Sequence, residues 1–233
     1  MLNAISAMLL RNRLLCPIAT ESLGWCVASY LSAAFAEPGA LCAVPRSQRR
    51  CVHVLREVAV EAMGGRRVAL HPHCEPEDTF RGALRISVQV DYGDRMRAQR
   101  FEMERREFAS AASAARTFCF AEDVAKMRWS GLAKGGSLDN AVVFTRGTFC
   151  RIGSTRRRES QYLTKKCAEG RVLNPEGLRF ENEAARHKAL DVLGDLALGG
   201  ALVGQYSGSK PGHALNIALL KKLFASPENF SVA

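Results

Sequence analysis

The chain has 233 residues, 47% of them hydrophobic and 24% charged, so it is long enough to bury a core and is not a disordered protein by composition. A net charge of +10 favours anionic partners but does not identify them. The 8 cysteines form no CxxC pair and are widely spaced, which excludes a small disulfide scaffold and a zinc knuckle and predicts free thiols in a reducing, cytoplasmic compartment.

Residues 1–48 differ in character from the rest of the chain. Their apolar start precedes the first arginines, which is the wrong order for a secretory signal. Residues 14–36 are long enough to cross a bilayer, but Pro17 and several polar side chains favour a buried helix, so no membrane span is expected. The basic, acid-poor composition would also suit an organellar transit peptide. We interpret 1–48 as a degenerate segment, either the remnant of a first domain or a targeting segment.

A folded domain is predicted over residues 49–225. Alternation and β-branching predict strands at 52–60, at 66–70 after a Gly64-Gly65 turn, at Leu84–Val90 and at 141–144. Helical patterns follow at 121–127, 182–198 and 214–224, with Asn182 as an N-cap and Gly199-Gly200 as a stop. Together these elements predict an α+β fold, a two-layer sandwich of an antiparallel sheet packed on helices.

The segment 145–170 is strongly basic and lacks a helical or strand period. It carries seven Arg and Lys side chains against Glu159 and Glu169. A solvated loop inserted into the domain is the simpler interpretation, and an anion-binding arm is the alternative. Among the weaker signals, His71 and His73 could ligate a metal but sit at a predicted strand end, and Trp129 is predicted to pack in the core.

The helix at 182–198 presents a polar ridge on an otherwise apolar surface. His187 and Asp191 are four residues apart, so both side chains project from one face and could reach one zinc ion. Asp195 lies one turn further along the same stripe. Taken alone, this spacing also suits an ordinary helix face with surface charges.

Four motifs favour a functional role for this helix over an ordinary polar face. They lie at 115–120 (ARTFCF), 131–141 (GLAKGGSLDNA), 177–196 (GLRFENEAARHKALDVLGDL) and 211–216 (PGHALN). In this order they resemble the C-terminal half of the UDP-3-O-acyl-N-acetylglucosamine deacetylase family, the zinc amidohydrolases of bacterial lipid A synthesis. The resemblance covers about 51–223, and it implies that a recognisable N-terminal half is missing.

The resemblance implies a role for each matched residue. His187 and Asp191 would be two of three protein ligands to a catalytic Zn²⁺. Thr117 would donate its hydroxyl to the oxyanion. His213 would protonate the leaving amine, and Asp195 would orient it and raise its pKa.

The resemblance implies further roles. Lys188 would meet anionic or carbonyl oxygens of the substrate, and Phe118 would lie against the sugar or its uridine diphosphate. The family's third ligand and its base lie on a Thr-x-Glu-His-Leu helix. Here the nearest match has Glu21, a weak candidate for the base, and Ser22 in place of the ligand histidine.

Three functions remain open at this point. The first is a zinc-dependent deacetylase acting on a UDP-3-O-acyl-glucosamine-type substrate, with a separate chain as one source of the missing half. The second is an inactive relative that binds a nucleotide-sugar or a partner protein. The third, a nucleic-acid-binding protein using the basic arm, is not favoured.

Overall fold

The structure is a computed structural model that describes residues 51–73, 84–145, 165–167 and 170–233. The predicted segment 1–48, with Glu21 and Ser22, lies outside the described residues, as does most of the basic segment 145–170.

The described residues form eleven strands and four α-helices. The strands are β1 (Cys51–Val54), β2 (Val58–Ala62), β3 (Arg66–His71), β4 (Leu84–Val90), β5 (Gln99–Glu104), β6 (Thr117–Phe120), β7 (Ala141–Thr145), β8 (Lys165–Cys167), β9 (Gly170–Val172), β10 (Ala201–Ser209) and β11 (Phe230–Val232). The helices are α1 (Phe108–Ala111), α2 (Ala121–Trp129), α3 (Glu183–Leu196) and α4 (His213–Phe224).

Seven strands make the main sheet, whose central strand is β10. The order β11-β1-β10-β3-β2 is extended by β4, which also pairs with β10, and by β5, which pairs with β4. Strand β10 runs parallel to β1 and β4 and antiparallel to β3. The partners of β10 change at Gly204, whose φ is +156°. A Cβ there would lie 2.8 Å from the carbonyl oxygen of His71, so the close approach of β3 requires glycine.

Helices α3 and α4 cover this sheet and form the second layer. Helix α3 packs against β4, β5 and α4, while α4 packs against β2 and β3. The core between the layers is aliphatic, and Leu70, Ile86, Val192 and Leu219 are completely buried in it. The hydrophobic effect at this interface therefore fixes the face of α3 that is left for polar side chains.

A smaller sheet has the order β6-β7-β9-β8, with β6 parallel to β7 and the other pairs antiparallel. Strand β6 packs against α3 and places residues 117–120 beside it. Strands β8 and β9 lie at the end of the basic segment. Neither strand was predicted, because the sequence there has no strand periodicity.

The predicted α+β class is confirmed, with the sheet packed on helices. The sheets are mixed rather than purely antiparallel, because β10 and β6 each have parallel partners. Among the described residues, no helix is long and apolar enough to cross a membrane.

Two local predictions were wrong. Trp129 is 95% exposed rather than packed in the core. Asn182 makes no side-chain cap; its Oδ1 accepts from Arg186 Nε (2.7 Å) and its Nδ2 donates to the carbonyl of Arg100 (3.0 Å). The amide thus ties α3 to β5 instead of closing its first turn.

Candidate active site

His187 is buried on α3 and its ring is oriented by the backbone. Its Nδ1 donates to the carbonyl oxygen of Ala115 at 3.0 Å, and the side chain is only 2% exposed. Burial lowers the pKa of this imidazole, which therefore stays neutral. With the proton on Nδ1, the lone pair is on Nε2, which lies 3.4 Å from Oδ1 of Asp191.

The two carboxylate oxygens of Asp191 have different surroundings. Oδ2 accepts from Lys188 Nζ at 3.0 Å. Oδ1 is buried and accepts no hydrogen bond from the described part of the chain. A carboxylate oxygen beside an imidazole lone pair in a buried site is unfavourable unless a cation lies between or next to them.

These atoms fit a zinc ion as two of its ligands, because a neutral imidazole nitrogen held by an outer hydrogen bond and a carboxylate oxygen are both common zinc donors. No third protein ligand joins them: the residues that the structure describes contain no group of three or more His, Cys, Asp or Glu side chains that could hold a metal. His71, a candidate third ligand, instead contacts Ser207 Oγ (3.0 Å) and Glu57 Oε2 (3.7 Å).

The second polar pair joins α3 to α4. Nδ1 of His213, the first residue of α4, lies 2.9 and 3.0 Å from the two oxygens of Asp195. The hydrogen bond that Nδ1–H of His213 donates to Asp195 raises the pKa of His213 against the opposing effect of partial burial. Nδ1 of His213 keeps its proton, which it donates to Asp195 in the hydrogen bond. Nε2 is therefore the nitrogen at which His213 can gain or release a proton.

Thr117 and Phe118 lie on β6 at the wall of a cavity of about 220 Å³. Lys188 reaches the same cavity, with Nζ 5.7 Å from the centre of the Phe118 ring. The remaining lining residues are Tyr92, Cys119, Phe120, Asp123 and Met127. The cavity therefore places a hydroxyl donor and an ammonium group beside aromatic side chains.

Sequence reasoning missed a buried ion pair that connects β6 to α3. Arg116 precedes Thr117, and its side chain is 1% exposed; Glu183, which begins α3, is completely buried. Glu183 Oε1 accepts from Nε (2.9 Å) and the backbone N–H (3.0 Å) of Arg116, while Oε2 accepts from the backbone N–H of Arg179 (2.7 Å). In sequence, both residues look like ordinary surface charges.

The chain matches the family model described as UDP-3-O-acyl N-acetylglycosamine deacetylase over residues 39–161 and 163–225. The chain belongs to this family. The match begins before the predicted start of the resemblance and continues through the basic segment apart from residue 162.

Three curated relatives carry the name UDP-3-O-acyl-N-acetylglucosamine deacetylase. The protein of Anaeromyxobacter dehalogenans is 42% identical over 157 residues, 66% of this chain and 42% of the relative. That of Anaeromyxobacter sp. is 44% identical over 129 residues, 55% of this chain and 35% of the relative. That of Chromobacterium violaceum is 36% identical over 190 residues, 80% of this chain and 53% of the relative.

The chain thus spans about half or less of the length of these deacetylase relatives. The predicted family is confirmed by the matches. The structure brings His187, Asp191 and Lys188 together on α3, pairs Asp195 with His213, and puts Thr117 and Phe118 at the cavity that Lys188 also lines. The predicted roles of these residues remain predictions.

Proposed function

We propose that this chain is a zinc-dependent UDP-3-O-acyl-N-acetylglucosamine deacetylase, which hydrolyses the N-acetyl group of a nucleotide-linked sugar in lipid A synthesis. One observation carries most of the proposal. A neutral imidazole, with its proton turned away, faces a carboxylate oxygen in a buried site, as a zinc site requires. The family membership supplies the substrate class.

In the proposed reaction, His187 and Asp191 would hold the zinc ion. When bound, zinc supplies Lewis acidity for the attack of water on an amide carbonyl. The Thr117 hydroxyl would donate to the oxygen on which negative charge develops. Protonated His213, with its pKa raised by Asp195, would give its Nε2 proton to the leaving amine.

Lys188 has two assignments that agree with its position. Its Nζ neutralises Oδ2 of Asp191 and leaves Oδ1 for the metal. It also lines the cavity with Phe118, where an anionic or carbonyl group of the substrate would meet it. Phe118 would pack against the sugar or the uridine diphosphate.

The organisation that we propose is a deacetylase domain over 49–225 with a basic insertion at 145–170. Its base and third ligand would come from residues outside the described ones: Glu21 is a weak candidate for the base, and a separate chain is a candidate source of both. A cytoplasmic location would suit the nucleotide-linked substrate, and an organellar one remains the alternative if 1–48 is a transit peptide. Nucleic acid is not a proposed partner.

The alternative is an inactive relative that binds the nucleotide-sugar or a partner protein. The observation in its favour is the count of two ligands among the described residues. Zinc held by two protein ligands is bound weakly, so turnover would be slow even if the cavity still accepts substrate.

The test is a mass-spectrometric assay of the full chain at high concentration with zinc and UDP-3-O-acyl-N-acetylglucosamine. We expect slow release of acetate that falls by about 10²-fold or more in Thr117→Val, which keeps the side-chain shape and removes the hydroxyl donor. Substrate binding without any product would favour the inactive relative. Neither binding nor product would overturn the proposed function.

A further inference from the structure

A hydrogen-bonded chain of buried side chains runs behind the Asp195–His213 pair. The hydroxyl of Tyr206, on β10, donates to Oδ1 of Asn216 at 2.7 Å. Nδ2 of Asn216, on α4, donates to Oδ2 of Asp195 at 2.8 Å. Tyr206 is 1% exposed and Asn216 is completely buried, so neither reaches solvent or the cavity.

The hydrogen bonds from Tyr206 through Asn216 to Asp195 are all donated in the same direction. The Asp195 carboxylate can only accept, so the Asn216 amide must turn its NH₂ group towards it. The Asn216 oxygen then faces Tyr206, which must donate. Burial raises the pKa of the Tyr206 phenol well above its ordinary value, so the phenol keeps its proton. A flipped amide would set an oxygen against a carboxylate oxygen.

We propose that Asn216, held by the Tyr206 hydroxyl, is a positioning residue that fixes the Asp195 carboxylate where it accepts the Nδ1 proton of His213. The proposal rests on the proposed function for the use of His213 as an acid. Without the anchor, Asp195 could rotate about its terminal torsion, which is a soft one. His213 is about half exposed and has no other described hydrogen-bond partner that would hold its ring.

A purely electrostatic role for Asn216 makes the opposite prediction. Removing a donor from a carboxylate concentrates its negative charge and, with the geometry unchanged, would raise the pKa of His213. Losing the position of the carboxylate would lower it. The other charged groups that act on His213 are Asp191 and Lys188, both on α3, and neither is altered by changing Asn216.

The experiment is nitrogen-15 NMR of the imidazole groups of the full chain across a pH titration. The sequence contains five histidines, and a His213→Gln variant assigns the resonances of His213. In the parent chain we expect neutral His213 to carry its proton on Nδ1. In Tyr206→Phe/Asn216→Leu we expect the Nε2–H form to become the major one and the pKa to fall towards about 6.5.

The variants are chosen so that the fold is retained. Replacing both partners of the Tyr206–Asn216 hydrogen bond by apolar groups of similar shape can be nearly neutral, and the remaining cost is the one donor that Asp195 loses. The milder Tyr206→Phe change should shift the tautomer in the same direction by a smaller amount. Tyr92→Phe removes a hydroxyl from a tyrosine that packs on Phe118 and Phe120, away from this chain of bonds, and should leave His213 unchanged.

Each outcome bears on the proposal. An unchanged tautomer, or a raised pKa, in the folded double variant would overturn it. A change in the double variant with none in Tyr206→Phe would remove Tyr206 from it. Because the readout needs no turnover, an expected tautomer shift in a chain that never releases acetate would leave the positioning role standing while the proposed function fails.

Discussion

Each of Asp191 and His187 has one side-chain atom held by a hydrogen bond and one that faces the other residue. Lys188 occupies one oxygen of Asp191, and the Ala115 carbonyl occupies one nitrogen of His187. The other nitrogen of His187, Nε2, lies 3.4 Å from the other oxygen of Asp191, Oδ1. An i,i+4 spacing places both side chains on one face of the helix, and here both are also buried.

We therefore expect the full chain to bind zinc weakly and with less than one ion per chain. His187→Ala should weaken that binding by more than about tenfold, since losing even an outer partner of a ligand costs 10–100-fold. Isothermal titration with zinc would measure it. His71→Ala is the matched control, because His71 contacts Ser207 and Glu57 rather than the proposed ligands. Tight one-to-one binding that survives His187→Ala would rule out this site.

His213 should make stability depend on pH with a definite sign. Its folded pKa is raised by Asp195, so protonated His213 stabilises the fold fully below the unfolded pKa of about 6.5, and this contribution is lost as pH rises through the folded pKa. The urea midpoint of the parent chain should exceed that of His213→Gln at about pH 6, and the difference should shrink by about pH 9.

His187 is present in both proteins, and its lowered pKa changes stability with pH in the opposite sense to His213. The difference between the two urea midpoints therefore cancels the effect of His187. A difference that grows with pH would contradict the Asp195–His213 pairing. Because about half of the His213 side chain is exposed, solvent screens the Asp195–His213 pair. The prediction therefore concerns the sign of the change in stability with pH.

At the scale of elements, the Arg116–Glu183 pair sets β6 against the start of α3. Thr117 directly follows Arg116, so the ion pair holds Thr117 close to the start of the helix that carries the proposed ligands. Glu183 also accepts two backbone N–H groups, so it satisfies the chain before α3 as well as the guanidinium. Such a pair is costly to break from one side.

Glu183→Leu should destabilise the fold by about 3–5 kcal/mol, because it leaves two backbone donors without their acceptor and removes the buried carboxylate from the Arg116 guanidinium, which keeps only Glu176 and the Gly177 carbonyl as described partners. Arg116→Met should cost less, since Glu183 keeps those two backbone donors. Arg56→Met, in the exposed pair with Glu228, should cost about 1 kcal/mol or less. Urea unfolding gives all three values, and equal costs would show that the buried pair has no special role.

Pattern alone was enough for the elements with a clear period. Strand β4 has the predicted bounds because its alternation matches one buried face. Helix α3 was predicted to within two residues, and the placement of His187 and Asp191 on one face followed from their spacing. The parallel pairing of β10 and the Arg116–Glu183 pair join residues far apart in sequence, and no local pattern encodes them. The carbonyl of Ala115 likewise carries no side-chain signal.

At the scale of the whole molecule, the site is assembled from one half of a longer family pattern. The described residues include the proposed oxyanion donor Thr117, the proposed acid His213 and the two proposed metal ligands, His187 and Asp191. By the resemblance, the remaining ligand and the base would lie on a Thr-x-Glu-His-Leu helix, for which the candidate here is Thr20-Glu21-Ser22-Leu23, one residue shorter and with Ser22 in place of the histidine. Activity is thus the property that depends most on residues beyond the described ones.

The full chain should therefore turn over substrate poorly, and Ser22→His should raise its rate if residues 20–23 correspond to the family's ligand helix. Losing a general base alone typically lowers the rate by 10²–10⁴-fold. Weak zinc binding lowers the rate further, but the combined loss is smaller than the product of the two because both groups act in one catalytic unit. The measurement is acetate release with added zinc, beside Ser22→Asn, which adds a polar side chain that is a poor zinc ligand. A gain of at least about tenfold confined to the histidine variant, with tighter zinc binding, would identify the lost ligand. No gain in either would mean that the match at Glu21 and Ser22 is coincidental. Fast turnover in the unmodified chain would show that another side chain completes the site, and His71 and His73 would be the first to replace.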